Sequence, residues 1–148
     1  MAMNKKDIIQ KLNWFYSLEM NQVELYIAQS KSVNDIYFKK TLERVAMIEE
    51  QHVKNISEMI KQYGGTPTSV GELFAPLTGK IAGNIIGWSG LANLLKADIA
   101  LEQKAMADYQ DFILQLGDEQ DLFNLLWGNL IDEDLHTAWF SNKVQDLQ

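Results

Sequence analysis

The chain has only two histidines, His52 and His136, and each follows a glutamate by three positions, in Glu49-Glu50-Gln51-His52 and Glu133-Asp134-Leu135-His136. Residues three apart share one face of a helix. Each pair can therefore offer a carboxylate and an imidazole to the same metal ion. Ten glutamates in 148 residues make one such coincidence about a 7% event, and both together on the order of half a percent. A single Glu-x-x-His reads most simply as a solvated helix face. Two of them read differently here, because each has a glutamate waiting upstream. Glu19 precedes Glu49 by 30 residues, and Glu102 precedes Glu133 by 31. A tyrosine then follows each upstream glutamate by seven, Tyr26 after Glu19 and Tyr109 after Glu102. Seven residues are two helical turns, so each tyrosine points the same way as its glutamate. A core tyrosine needs a partner for its hydroxyl, and a metal-bound carboxylate supplies one. Core filler is the plainer reading of either tyrosine taken alone.

These residues need long helices to bring them together, and the apolar pattern supplies them. Ile8, Leu12, Phe15, Leu18, Leu25 and Ala28 recur at three-to-four spacing and predict a helix over about Lys5 to Lys31. Ser32-Val33-Asn34-Asp35 interrupts it and offers an N-cap. A second helix is predicted from about Asp35 to Tyr63. Its apolar face includes Ile36, Leu42, Val45, Ile48, Ile56, Met59 and Ile60, and Gly64-Gly65 stops it. Residues 64–88 hold six glycines and both prolines, Pro67 and Pro76. Such a long connection usually has a purpose, here to cross the length of a bundle. Ser89 is a candidate cap for a third helix over about Gly90 to Leu116. Asp118, after Gly117, is a candidate cap for a fourth over about Glu119 to Asp146. Trp14, Trp88, Trp127 and Trp139 fall at helical positions and read as core.

The expected fold is all-α: a four-helix bundle of two antiparallel hairpins joined by a long crossover, with residues 1–148 as one domain. Each Glu-x-x-His lies on the second helix of a hairpin. Glu19 and Glu49 stand 15 residues either side of Asn34; Glu102 and Glu133 stand 15 and 16 from Gly117. At ~1.5 Å per residue each partner sits ~22 Å along its helix from the turn, so the pairs meet at one level.

Composition narrows the function. A net charge of −7 disfavours a nucleic-acid partner. The absence of cysteine excludes disulfides, thiolate catalysis, iron–sulfur clusters and zinc ribbons. The start Met1-Ala2-Met3-Asn4-Lys5-Lys6 lacks a following apolar region, so no signal peptide is expected. Lys80 and Lys96 interrupt the longest apolar candidate for a membrane span. A soluble cytoplasmic protein is the expectation.

Four glutamates, Glu19, Glu49, Glu102 and Glu133, would repel one another in the middle of such a bundle. Two divalent cations cancel their charge, and the neutral imidazoles of His52 and His136 add nitrogen ligands. Oxygen-rich ligation with one histidine per ion suits iron or manganese.

With these residues in place, the sequence resembles the ferritin-like di-iron carboxylate superfamily, nearest in its ligand motifs to bacterioferritin and rubrerythrin. Ala97-Asp98-Ile99-Ala100-Leu101-Glu102 and Asp132-Glu133-Asp134-Leu135-His136-Thr137-Ala138-Trp139 are similar to bacterioferritin helices in order and spacing, and Glu19 through Tyr26 fits the first-helix pattern. The resemblance implies two bound iron ions, bridged by Glu49 and Glu133. Glu19 with His52 would complete one, and Glu102 with His136 the other. Tyr26 and Tyr109 would hydrogen-bond the terminal glutamates. Asp132 would orient His52. The position matching Asp132, before Glu49, is Ile48, so the two metal positions need not be equal.

The departures matter as well. Glu50 stands where bacterioferritin has its haem-ligating methionine, so no haem is expected. Without cysteine there is no rubredoxin-like electron-transfer domain. The sequence stops soon after the fourth helix, so the fifth helix of cage-forming ferritins, and a 24-subunit shell, are not expected. Phe74-Ala75-Pro76-Leu77 and Ile81 to Trp88 are similar to a segment of demethoxyubiquinone hydroxylases, which act on a quinone at membranes. That gives 73–88 a membrane-surface reading beside the plainer one, a Gly-rich packing segment or dimer contact. The leading function is thus a di-iron oxidoreductase that reacts with dioxygen or peroxide, as a ferroxidase or peroxidase, with an unspecified electron donor. The alternatives are a di-iron hydroxylase of a quinone-like substrate and a metal-free helical interaction protein. Such bundles often pair, so a homodimer is compatible with this reading.

Overall fold

The computed structural model describes residues 3–69 and 88–147. Among them are four helices: α1 (Lys5–Ser32), α2 (Ile36–Gln62), α3 (Trp88–Gln115) and α4 (Gln120–Leu147). The chain divides into two compact units, Met1–Asn84 and Ile85–Gln148. The first holds the α1–α2 hairpin and the second the α3–α4 hairpin. None of the four helices is long and apolar enough to cross a membrane. The crossover motifs within residues 70–87, including Phe74–Leu77 and Ile81–Gly87, lie outside the described residues.

Local chemistry sets the ends of the first hairpin. The Asn4 side chain accepts the Asp7 N–H at 2.9 Å and caps α1. Asp7 in the first turn and Lys31 in the last both suit the helix dipole. Asp35 caps α2, where its carboxylate accepts from the N–H groups of Tyr37 and Phe38 at 2.9 and 3.0 Å. The far end of α2 closes as a Schellman turn. Gly65 N–H donates to the Ile60 carbonyl and Gly64 N–H to that of Lys61, both at 2.9 Å. Gly64 sits at φ +85°, a conformation that side chains disfavour. A Cβ on Gly65 would stand 2.8 Å from Ile9 Cγ2, so the second glycine lets the chain pass close over α1. Ile8, Leu12, Phe15, Leu18 and Leu25 of α1 and Phe38, Leu42, Val45, Ile56 and Ile60 of α2 are buried.

In the second hairpin, Leu95, Ala105, Tyr109 and Phe112 of α3 and Leu122, Leu126, Leu130, Phe140 and Val144 of α4 are buried. The Thr137 hydroxyl reaches Met106 Sδ at 3.6 Å, which ties α4 to α3 near the middle of each.

Several expectations need correction. Ser89 lies inside the first turn of α3 rather than capping it, because the helix begins at Trp88. Asp118 stands one residue outside the cap of α4: the Glu119 carbonyl accepts the Phe123 N–H at 2.9 Å. Ile36 is 66% exposed, because it opens α2 at the turn, and Phe38 is buried instead. Trp14 and Trp127 are 37% and 50% exposed, so neither is core. Helical spacing alone does not separate an inward tryptophan from a surface one.

Candidate metal centre

The first hairpin gathers three of the expected ligands. Glu49 and His52 are one turn apart on α2, and Glu19 joins them from α1. Both carboxylates are fully buried and His52 is 2% exposed. His52 Nδ1 lies 3.0 Å from Glu49 Oε2 and 3.4 Å from Glu19 Oε2. Each residue offers a ligand atom within 4.8 Å of the others. Donors at about 2.0–2.2 Å from a first-row ion lie up to about 4.4 Å apart, so the cluster needs little adjustment to close on one.

The second hairpin repeats the pattern more loosely. Glu102 of α3 and Glu133 of α4 are fully buried, and His136 is 6% exposed. His136 Nδ1 lies 3.7 Å from Glu102 Oε1 and 3.9 Å from Glu133 Oε2. These separations exceed hydrogen-bond length, but the three ligand atoms still fall within 4.8 Å of one another. In each hairpin the cluster consists of two carboxylates and one imidazole. Taking such a pair of carboxylates out of water costs several kcal/mol per charge unless something compensates it. A divalent cation does so, and an oxygen-rich donor set without sulfur suits iron or manganese.

Tyr26 and Tyr109 are both fully buried. The Tyr109 hydroxyl accepts a hydrogen bond from Asn129 Nδ2 at 3.2 Å, which leaves the phenolic hydrogen for a second partner. Asp132 is partly buried on α4, next to Glu133.

Three of the buried polar residues not singled out from the sequence lie one turn from a candidate ligand glutamate. Asn129, 4% exposed, lies one turn before Glu133. Asp98, fully buried, lies one turn before Glu102. Gln22, fully buried, lies one turn after Glu19. The signal that reveals all three is the same: a polar residue three or four positions from a ligand glutamate, on its inward face.

Residues 9–148 match the family model of the ferritin-like domain. The chain is similar to the bacterioferritin of Desulfovibrio desulfuricans, at 23% identity over 96% of this chain and 79% of that protein. It superposes on the X-ray structure of a bacterioferritin from that organism, described with a diiron site in different catalytic states. The TM-score is 0.78 at 21% identity, covering 97% of this chain and 84% of that one. It also superposes on a dodecameric thioferritin, the bacterioferritin-related protein of Bacteroides fragilis. There the TM-score is 0.80 at 18% identity, covering 99% of this chain and 89% of the other.

Proposed function

This chain belongs to the ferritin-like domain family and has the family's four-helix fold, and on that footing we propose that it binds two ferrous ions and oxidises them. The observation that carries the reading is the matched pair of buried clusters. Glu19, Glu49 and His52 form one, and Glu102, Glu133 and His136 the other, each with its ligand atoms within 4.8 Å. In this reading Glu19, Glu49 and His52 hold one ion and Glu102, Glu133 and His136 the other. Iron is the metal, with manganese as the competitor for the same donors. The diiron site described for the Desulfovibrio desulfuricans protein supports that choice.

The protein's part is to hold and orient. Four carboxylates neutralise two divalent cations, so the loaded site carries no net charge. The two imidazoles bind only in their neutral form, so protons compete with iron for them. Iron(II) is the substrate, and each ion gives up one electron to dioxygen or peroxide. Tyr26 and Tyr109 fix the terminal carboxylates. The hydrogen bond from Asn129 holds the Tyr109 ring in register.

An anaerobic iron(II) titration tests the assignment. The wild type is expected to bind two ions per chain, and exposure to oxidant to convert them to iron(III). A Glu49→Ala, Glu133→Ala double variant is expected to retain a folded helical spectrum and bind neither ion tightly. Equal iron content in the two proteins would refute the assignment.

A further inference from the structure

The two halves of the sequence pattern differ at one inward position. In the first half the series is Glu19, Gln22, Tyr26; in the second it is Glu102, Ala105, Tyr109. All six residues are fully buried. Gln22 therefore puts a carboxamide where the second half has a methyl group. Neither Oε1 nor Nε2 of Gln22 has a hydrogen-bond partner among the described residues. A buried amide left that way is costly, and native structures seldom tolerate it without a purpose. On its helix Gln22 is one turn from Glu19, with Cβ atoms about 5–6 Å apart. A side chain of that length reaches a small molecule held beside the Glu19 carboxylate.

A carboxamide offers one kind of atom that donates and another that accepts. Its natural partner is a small neutral molecule with both O–H groups and lone pairs. Water and hydrogen peroxide fit this description. Dioxygen does not, since it has no hydrogen to donate and is a poor acceptor. Of the two that fit, only hydrogen peroxide can take electrons from iron(II). We propose that Gln22 is a specificity residue that binds hydrogen peroxide at the α1–α2 cluster and favours it over dioxygen as oxidant. The inference rests on the iron-oxidising reading above. In the step it serves, two iron(II) ions each give one electron to hydrogen peroxide. The O–O bond breaks, two protons are taken up, and two waters leave with two iron(III) produced.

The test uses the full chain and two variants, Gln22→Met, which keeps the volume, and Gln22→Ala, which reproduces the second half. Iron(II) is loaded anaerobically and oxidised with hydrogen peroxide or with dioxygen in separate experiments. The peroxide KM is expected to rise about tenfold in both variants, the loss of one or two hydrogen bonds. The ratio of peroxide to dioxygen efficiency is expected to fall by a similar factor. Two readouts do not depend on turnover. Iron(II) stoichiometry should stay at two per chain, and metal-free Gln22→Met should melt no lower than the wild type. An unchanged peroxide KM with normal iron binding would mean that the carboxamide holds an ordered water only, and would overturn the inference alone. An equal loss with both oxidants would overturn it too. Failure of the wild type to bind iron(II) would bring down the iron-oxidising reading, and this inference with it.

Discussion

Replacing Glu49 by Gln should make the metal-free protein more stable and the iron-loaded protein less so. Glu49 and Glu19 are both fully buried, and their ligand oxygens lie no more than 4.8 Å apart. Two unit negative charges at that distance repel by about 3.5 kcal/mol at an effective dielectric constant of about 20. His52, 3.0 Å from Glu49, offsets part of this when protonated. Gln keeps the shape of the side chain and removes the charge. The net gain for the metal-free protein is then about 1–2 kcal/mol, or about 3–8 °C in melting temperature for a domain of this size. Iron(II) reverses the order. A ligand at 100 times its Kd stabilises the folded state by about 2.7 kcal/mol per site, and the variant loses most of that. The assay is thermal unfolding at neutral pH, under anaerobic conditions, across an iron(II) series. The two melting curves should cross as iron is added. If the variant is less stable without metal, the carboxylates are not strained by proximity. If wild-type stability does not respond to iron(II), the cluster is not a metal site.

Two smaller predictions concern the scaffold. Gly128 lies within α4 with nothing within 4 Å of a Cβ placed there, so Gly128→Ala should stabilise the chain by about 1 kcal/mol in chemical denaturation; a loss of stability would show that a neighbour occupies that space. Asp35 satisfies two N–H groups at the start of α2, so Asp35→Ala should cost about 1 kcal/mol in the same assay.

Much of this molecule was legible because its chemistry repeats at helical spacing. The four helices followed from apolar periodicity. The α1–α2 turn followed from Asp35, and the stop of α2 from Gly64-Gly65. These residues act on backbone groups two to five positions away, so their effect is local and readable. The start of α3 was not readable in the same way, because the helix runs past Ser89 to Trp88. A serine favours a cap position without forcing one. Trp14 and Trp127 depart from the core reading for another reason. Apolar residues are common on surfaces, and an exposed Trp127 stacked on Phe123 at 6.3 Å keeps the same spacing as a buried one.

The ligands and their surroundings differ in how tightly chemistry constrains them. A metal position that takes two carboxylates and an imidazole admits few substitutes, so Glu19, Glu49 and His52 have recognisable counterparts in Glu102, Glu133 and His136. The residues around them face no such demand. Ile48 occupies the place that Asp132 takes in the other half, and Gln22 the place of Ala105. The clusters differ correspondingly, with imidazole–carboxylate separations of 3.0 and 3.4 Å in one hairpin and 3.7 and 3.9 Å in the other. A pattern search finds what is alike in the two halves and is blind to what is not. The structure adds the burial of Gln22, which turns an ordinary glutamine in the sequence into a polar group that needs a reason. The two clusters offer the same donor types, so what distinguishes them lies in such unmatched neighbours.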